Sequence, residues 1–169
     1  MSAQPLESFC ATAEHFTAHC EATSAAVAML HSITPEFICL SAPNRPAQVS
    51  LPDQMPLIAL LDVAIAGLFA VALQMDRRMV KLGGKRKRGV YKFFDAADLA
   101  AGLSRRDRKN AERLFMLRSR AVFARLVSAD FAAVIDDLAM VLIENRTATK
   151  ATLEQFRLRY ELVFKKEAL

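Results

Sequence analysis

His15 and His19 stand four residues apart, the spacing that puts two imidazoles on one helix face where they could share a metal ion. Cys20 follows His19 directly, but on a helix it points about 100° away. Cys10 and His31 lie further along the chain. A zinc site needs three or four converging ligands, so these residues read as partly exposed histidines beside buried thiols, with no metal. Asp136-Asp137 is a carboxylate pair, yet helix neighbours point apart and do not make an acid/base dyad. These two acids are expected at the surface, or balancing Arg118 and Arg125, which fall near the apolar side of their own helix. Gly83-Gly84-Lys85 lacks the spacing of a phosphate-binding loop, and no strand pattern precedes it. All three histidines precede residue 32, so a Ser-His-Asp or Cys-His arrangement has little to draw on. No catalytic residue and no cofactor is nominated, and the expectation is a protein that is not an enzyme.

Charge carries more information than any motif. Residues 77–125 hold sixteen Lys/Arg and four acids, whereas residues 1–76 hold one basic residue and seven acids. Residues 126–169 hold six basic residues and seven acids, and the overall charge of +5 is what remains after the three regions cancel. The densest run is Lys85-Arg86-Lys87-Arg88, between Gly84 and Gly89, with Lys92 close behind. On the helix that follows, Arg106, Lys109, Arg113 and Arg120 share a stripe, while Leu114, Phe115, Ala121 and Val122 lie on another side. A basic loop leading into a cationic helix face suits phosphate backbones, which are bound by charge neutralisation and counterion release. Tyr91, Phe93 and Phe94 could stack on bases or anchor the loop. The expected partner is therefore nucleic acid without strong sequence preference, or an acidic protein surface, with a solvated face as the competing reading. The acidic N-terminal region of a second copy is one such surface, which makes a homo-oligomer an expectation too. An anionic membrane ranks behind both. Residues 97–113 have the outline of a helix-turn-helix. Arg108 falls where that motif buries an aliphatic residue, so specific DNA recognition is not expected.

The elements that must carry these residues are helices. Ala, Leu, Arg, Lys, Met and Glu are plentiful, and neither period-two β-branched runs nor Asn-Gly and Asp-Gly turns occur. With 169 residues, 53% of them hydrophobic, the chain can build its own core. Three cysteines are too few, and odd in number, for a disulfide scaffold. The expected fold is all-α: a single domain, 1–169, of five to six helices around a central hydrophobic helix at about 57–81. A first helix is expected over about 5–31, with Leu6, Phe9, Ala13, Phe16, Cys20, Val27 and Leu30 on one side. The stretch at 32–56 carries five of the six prolines and is expected to be a long ordered or semi-ordered connection and the most flexible segment, with a short helix starting at Thr34-Pro35-Glu36. Further helices are expected at about 95–103, 105–127, 128–144 and from Thr147 or Thr149 onward, the last burying Leu153, Phe156, Tyr160 and Val163.

Leu57 to Met75 is nearly long and apolar enough for a membrane span, with Arg77, Arg78 and Lys81 behind it. Asp62 interrupts it, at a cost of roughly 3 kcal/mol in a bilayer, and the flanking amphipathic helices need something to cover. A buried helix is preferred. Asp62 is then a buried acid that must pair with a basic side chain or backbone donors. Glu7, Glu14 and Glu21 precede the first basic residue, Arg45, which fits neither a secretory signal nor a presequence. The expected location is intracellular: cytoplasm, or nucleus in a eukaryotic or viral host. Beside the nucleic-acid reading stands a protein-interaction module with an apolar groove between its helices.

Overall fold

The computed structural model describes residues 13–40, 48–81 and 108–165. Within them the chain is mostly helical: α1 (Ala13–Leu30), β1 (Phe37–Cys39), β2 (Gln48–Ser50), α2 (Leu57–Lys81), α3 (Arg108–Leu126), α4 (Ala129–Asn145), β3 (Thr147–Thr149), α5 (Lys150–Arg159) and α6 (Glu161–Lys165). The helical residues expected before position 13, the helix expected at 95–103, the basic segment at 85–92 and the first residues, 105–107, of the helix expected at 105–127 lie outside the described residues.

α2 opens at Leu57, where the carbonyl of Pro56 accepts from the N–H groups of Ala59 and Leu60. It runs to Lys81 as the apolar pattern predicts, and packs against both α1 and α3. No helix among the described residues is long and apolar enough to cross a membrane. The unbroken buried run falls in α1 rather than α2: every residue from Ala25 to Leu30 is inside. Four of the side chains from 22 to 28 are alanines, which lets neighbouring helices approach closely. α1 accordingly touches α2, α4, α6 and β2. Met29, Leu61, Ile65, Phe131, Leu138 and Leu142 fill the space between them, each contributing about 1.5–3 kcal/mol by leaving water.

Within the segment at 32–56, the described residues 32–40 and 48–56 contribute two strands that the prolines do not suggest. β1 is the centre of a three-stranded antiparallel sheet of order β2-β1-β3. Ile38 faces Val49 on one side and Ala148 on the other. No helix starts at Thr34-Pro35-Glu36. Pro35 is buried, and the Glu36 N–H donates to the Ser50 carbonyl at 2.8 Å, which leads the chain into the sheet. Strands of three residues are too short for alternation to show in the sequence. The sheet ties the connection to the α4–α5 junction, and Leu40 N–H donates to Arg146 O at 2.9 Å. Arg146 turns that corner in the left-handed conformation, φ 63°.

Helix ends follow the polar signals with small departures. Thr149 caps α5, its Oγ1 accepting from Thr152 N–H at 3.4 Å. Ser128 precedes α4 but sends its hydroxyl back to the Arg125 carbonyl at 2.7 Å instead of capping forward. The last helix breaks at Tyr160 into α5 and α6. Leu153 and Phe156 are buried as their spacing predicts, but the break changes the facing of the residues beyond it. Phe164 goes inside, and Tyr160 and Val163 stay half-buried.

Candidate functional site

α3 divides its cations by direction. Arg118 and Arg125 turn inward, while Arg113 and Arg120 are exposed on the opposite face. The division follows from helical geometry, since positions 113 and 120 are two turns apart on one side and 118 and 125 are two turns apart on the other.

The inward arginines are spent on the fold. Asp62 of α2 is fully buried. Arg118 grips its carboxylate with two bonds, from Nε at 2.8 Å and from Nη2. His31, just beyond α1, places Nε2 at 2.7 Å from Asp62 Oδ2 and donates to it. Burial by itself would raise the Asp62 pKa. The hydrogen bonds and charges of Arg118 and His31 overcome that and hold the carboxyl below the ordinary aspartate value. The same bond holds the Arg118 guanidinium firmly charged. A carboxylate occupied in this way acts as a three-way tie between α1, α2 and α3, not as a general base for a substrate. Arg125 donates from Nη2 to the Val163 carbonyl at 2.6 Å and sets its guanidinium 4.9 Å from the centre of the Phe131 ring. Its charge is answered by Asp130, with Nη1 3.5 Å from Oδ1.

Asp136 and Asp137 therefore do not balance Arg118 and Arg125, one of the two roles expected for them. They point apart. Asp136 lies 3.5 Å from the buried His19 Nδ1, and Asp137 accepts from the Tyr160 hydroxyl. His19, Thr23, Leu73, Leu126, Ile135 and Asp136 line a small cleft of about 30 Å³, room for a water or two but not for a metabolite. Among the described residues no three His, Cys, Asp or Glu side chains converge as metal ligands. Cys20 and Cys39 are half-buried, and neither is in a disulfide.

Of the cations nominated from sequence, Lys85, Arg86, Lys87, Arg88, Lys92 and Arg106 lie outside the described residues. Lys109 is in the first turn of α3. Arg113 and Arg120 are on the outward face of that helix. Alongside them lies a feature that sequence reasoning missed. Met116 is 52% exposed, Leu117 66%, Phe123 43% and Val127 52%. One side of the Phe123 ring rests on Phe69 of α2, with centroids 5.3 Å apart. The missed signal was the doubling of apolar residues in Leu114-Phe115-Met116-Leu117, since a helix can turn only part of such a run inward.

No family model matches this chain, and no curated protein matches it. Function must therefore be argued from the site itself. The outward face of α3 is the candidate: two guanidinium groups interleaved with three large apolar side chains, with Val127 in the turn that directly follows.

Proposed function

We propose that the chain is a non-catalytic protein-interaction module, and that the outward face of α3 is its docking surface. The observation that carries this reading is the exposure of Met116, Leu117 and Phe123 on one face of α3, with Val127 exposed in the turn that directly follows. Scattered apolar residues on a surface are ordinary, but a contiguous set flanked by charge marks a contact site. Covering it releases apolar area at about 25 cal/mol per Å². Leu117→Asp tests the reading, because the side chain is too exposed for the change to disturb the core. Affinity capture with the parent chain and with the variant, both shown folded by circular dichroism, is expected to differ. Partners held by this face should bind the variant at least tenfold more weakly, on the order of 2 kcal/mol for a central contact. An identical set of captured proteins in equal amounts defeats the proposal.

A second reading rests on a different observation. Arg113 and Arg120 share their stripe with Lys109, and in sequence this stripe follows the Lys85–Arg88 run. That arrangement supports non-specific binding of nucleic acid through phosphates. Its affinity for an oligonucleotide should fall steeply with salt. Charge reversal at Lys85–Arg88 with Arg106, Lys109 and Arg113 should weaken it further, as filter binding would show. No binding at low salt ends this reading.

A further inference from the structure

We infer that the occupant of the α3 face is a single amphipathic helix from a different protein, with acidic residues placed opposite Arg113 and Arg120. The inference rests on that face being the docking surface. It comes from the spacing of the exposed side chains. Arg113, Arg120 and Val127 succeed each other at seven residues, and Met116 and Phe123 stand three residues after the first two of these. Leu117 and Ala124 repeat the same interval beside them. In heptad terms Arg113 and Arg120 take a, with Val127 in the following turn at the next a, Met116 and Phe123 take d, and Leu117 and Ala124 take e: two heptads with apolar d and e positions and two charged a positions. Such a seam is the pattern that a second helix covers by inserting side chains into the holes between them.

The seam also specifies the chemistry of its occupant. Two arginines occupy core positions about 10.5 Å apart along the helix, and covering them with apolar side chains would bury charge without compensation. A partner carrying Glu or Asp at the facing positions pairs both. Glu112, the only acid within α3, stands at the margin of the seam.

A second copy of this chain does not fit. Parallel pairing of two α3 helices stacks arginine on arginine at both a positions, and like charges across an interface cost several kcal/mol. Antiparallel pairing sets each guanidinium against Met116 or Phe123, with no acid to meet it. Of the seven acids in residues 1–76, three are already engaged within the chain: Glu14 with Arg146, Glu36 with Lys150 and Asp62 with Arg118. Nucleic acid fits less well, because phosphates would satisfy the arginines but leave Met116, Leu117 and Val127 in water.

Three synthetic peptides of three heptads test the inference. They share Leu at d and carry Glu, Gln or Lys at the two a positions that face the arginines. Binding to the full chain is followed by fluorescence anisotropy. The Glu peptide should bind about tenfold more tightly than the Gln peptide, and the Lys peptide weakest of all. In Arg113→Glu/Arg120→Glu the order should invert, and Leu117→Asp should weaken all three. Equal affinity for the three peptides overturns the acidic partner while leaving the docking face standing. Absence of binding by any peptide, or binding that Leu117→Asp does not weaken, overturns the helical occupant as well. Three other results reassign the face. A dimer by analytical ultracentrifugation that Leu117→Asp dissociates gives it to a second copy. Displacement of the Glu peptide by an oligonucleotide at physiological salt gives it to nucleic acid. A photo-crosslink from position 117 to residues 82–107 of the same chain gives it to the protein itself.

Discussion

Asp62→Ala is expected to lower the free energy of unfolding by about 3–5 kcal/mol, measured by chemical denaturation. The parent carboxylate is fully buried and receives three bonds, two from Arg118 and one from His31. Removing it leaves a guanidinium confined between α2 and α3 with no counter-charge. A domain of ordinary stability has roughly 5–15 kcal/mol in total, so this one change takes a large share. Asp62→Asn keeps the shape and loses the charge, and about 2–3 kcal/mol is expected from the weakened bonds to a charged donor. Replacing both partners, Asp62→Leu with Arg118→Met, should return the protein to within ~2 kcal/mol of the parent or better. A double variant as unstable as Asp62→Ala would show that more than the uncompensated charge is at stake.

Acid adds a second readout of the same tie. The Asp62 carboxyl is held below its ordinary value in the fold, so as pH falls the unfolded chain takes up the proton first. The stabilisation from the tie is complete above the ordinary aspartate range near ~4 and is lost as pH falls through the lower, folded value. Stability of the parent should therefore drop steeply in acid. The gap between the parent and Asp62→Ala should narrow over the same range. A gap that stays constant down to the acid limit of folding would contradict the pairing.

Phe131→Ala is expected to be comparably severe, about 3–5 kcal/mol. Phe131 has no solvent exposure and meets the edge of Phe164 with ring centres 6.2 Å apart and planes at 90°. The Arg125 guanidinium lies over the ring, 4.9 Å from its centroid. The ring thus fastens α6 and the end of α3 to the start of α4, and truncating it opens a cavity where three elements meet. Phe131→Leu should cost far less, about 1–2 kcal/mol, because most of the volume is kept. A double-mutant cycle with Phe164→Ala should show a coupling of about 0.5–1.5 kcal/mol from the edge-to-face pair. Strict additivity would remove the pairing from the account.

The legible part of the fold is the part set by neighbours in sequence. Leu57–Lys81 announces itself as a helix because its residues mostly favour one, and nothing breaks the run before Gly83. Thr149 signals a helix start because a hydroxyl at that position can reach the N–H three residues on. That Asp62 must find a partner was also readable, since an acid inside an apolar helix is costly if left bare. Its partners were not, because Arg118 is 56 residues away and His31 is 31 away. The strands escaped for a related reason. Phe37–Cys39 pairs with Thr147–Thr149, more than a hundred residues on, and three residues carry too little pattern to betray it.

Composition and local spacing thus made this a helical protein with a cationic middle and a committed buried acid. Those properties depend on residues a few positions apart. Which cations remain outside was a tertiary decision: packing against α2 turned Arg118 inward, contact with α4 and α6 turned Arg125 inward, and Arg113 and Arg120 were left in water. The exposure of Met116, Leu117, Phe123 and Val127 was decided in the same way. α3 carries more apolar residues than its contact with α2 can cover, and only the geometry of that contact determines which ones remain for a partner.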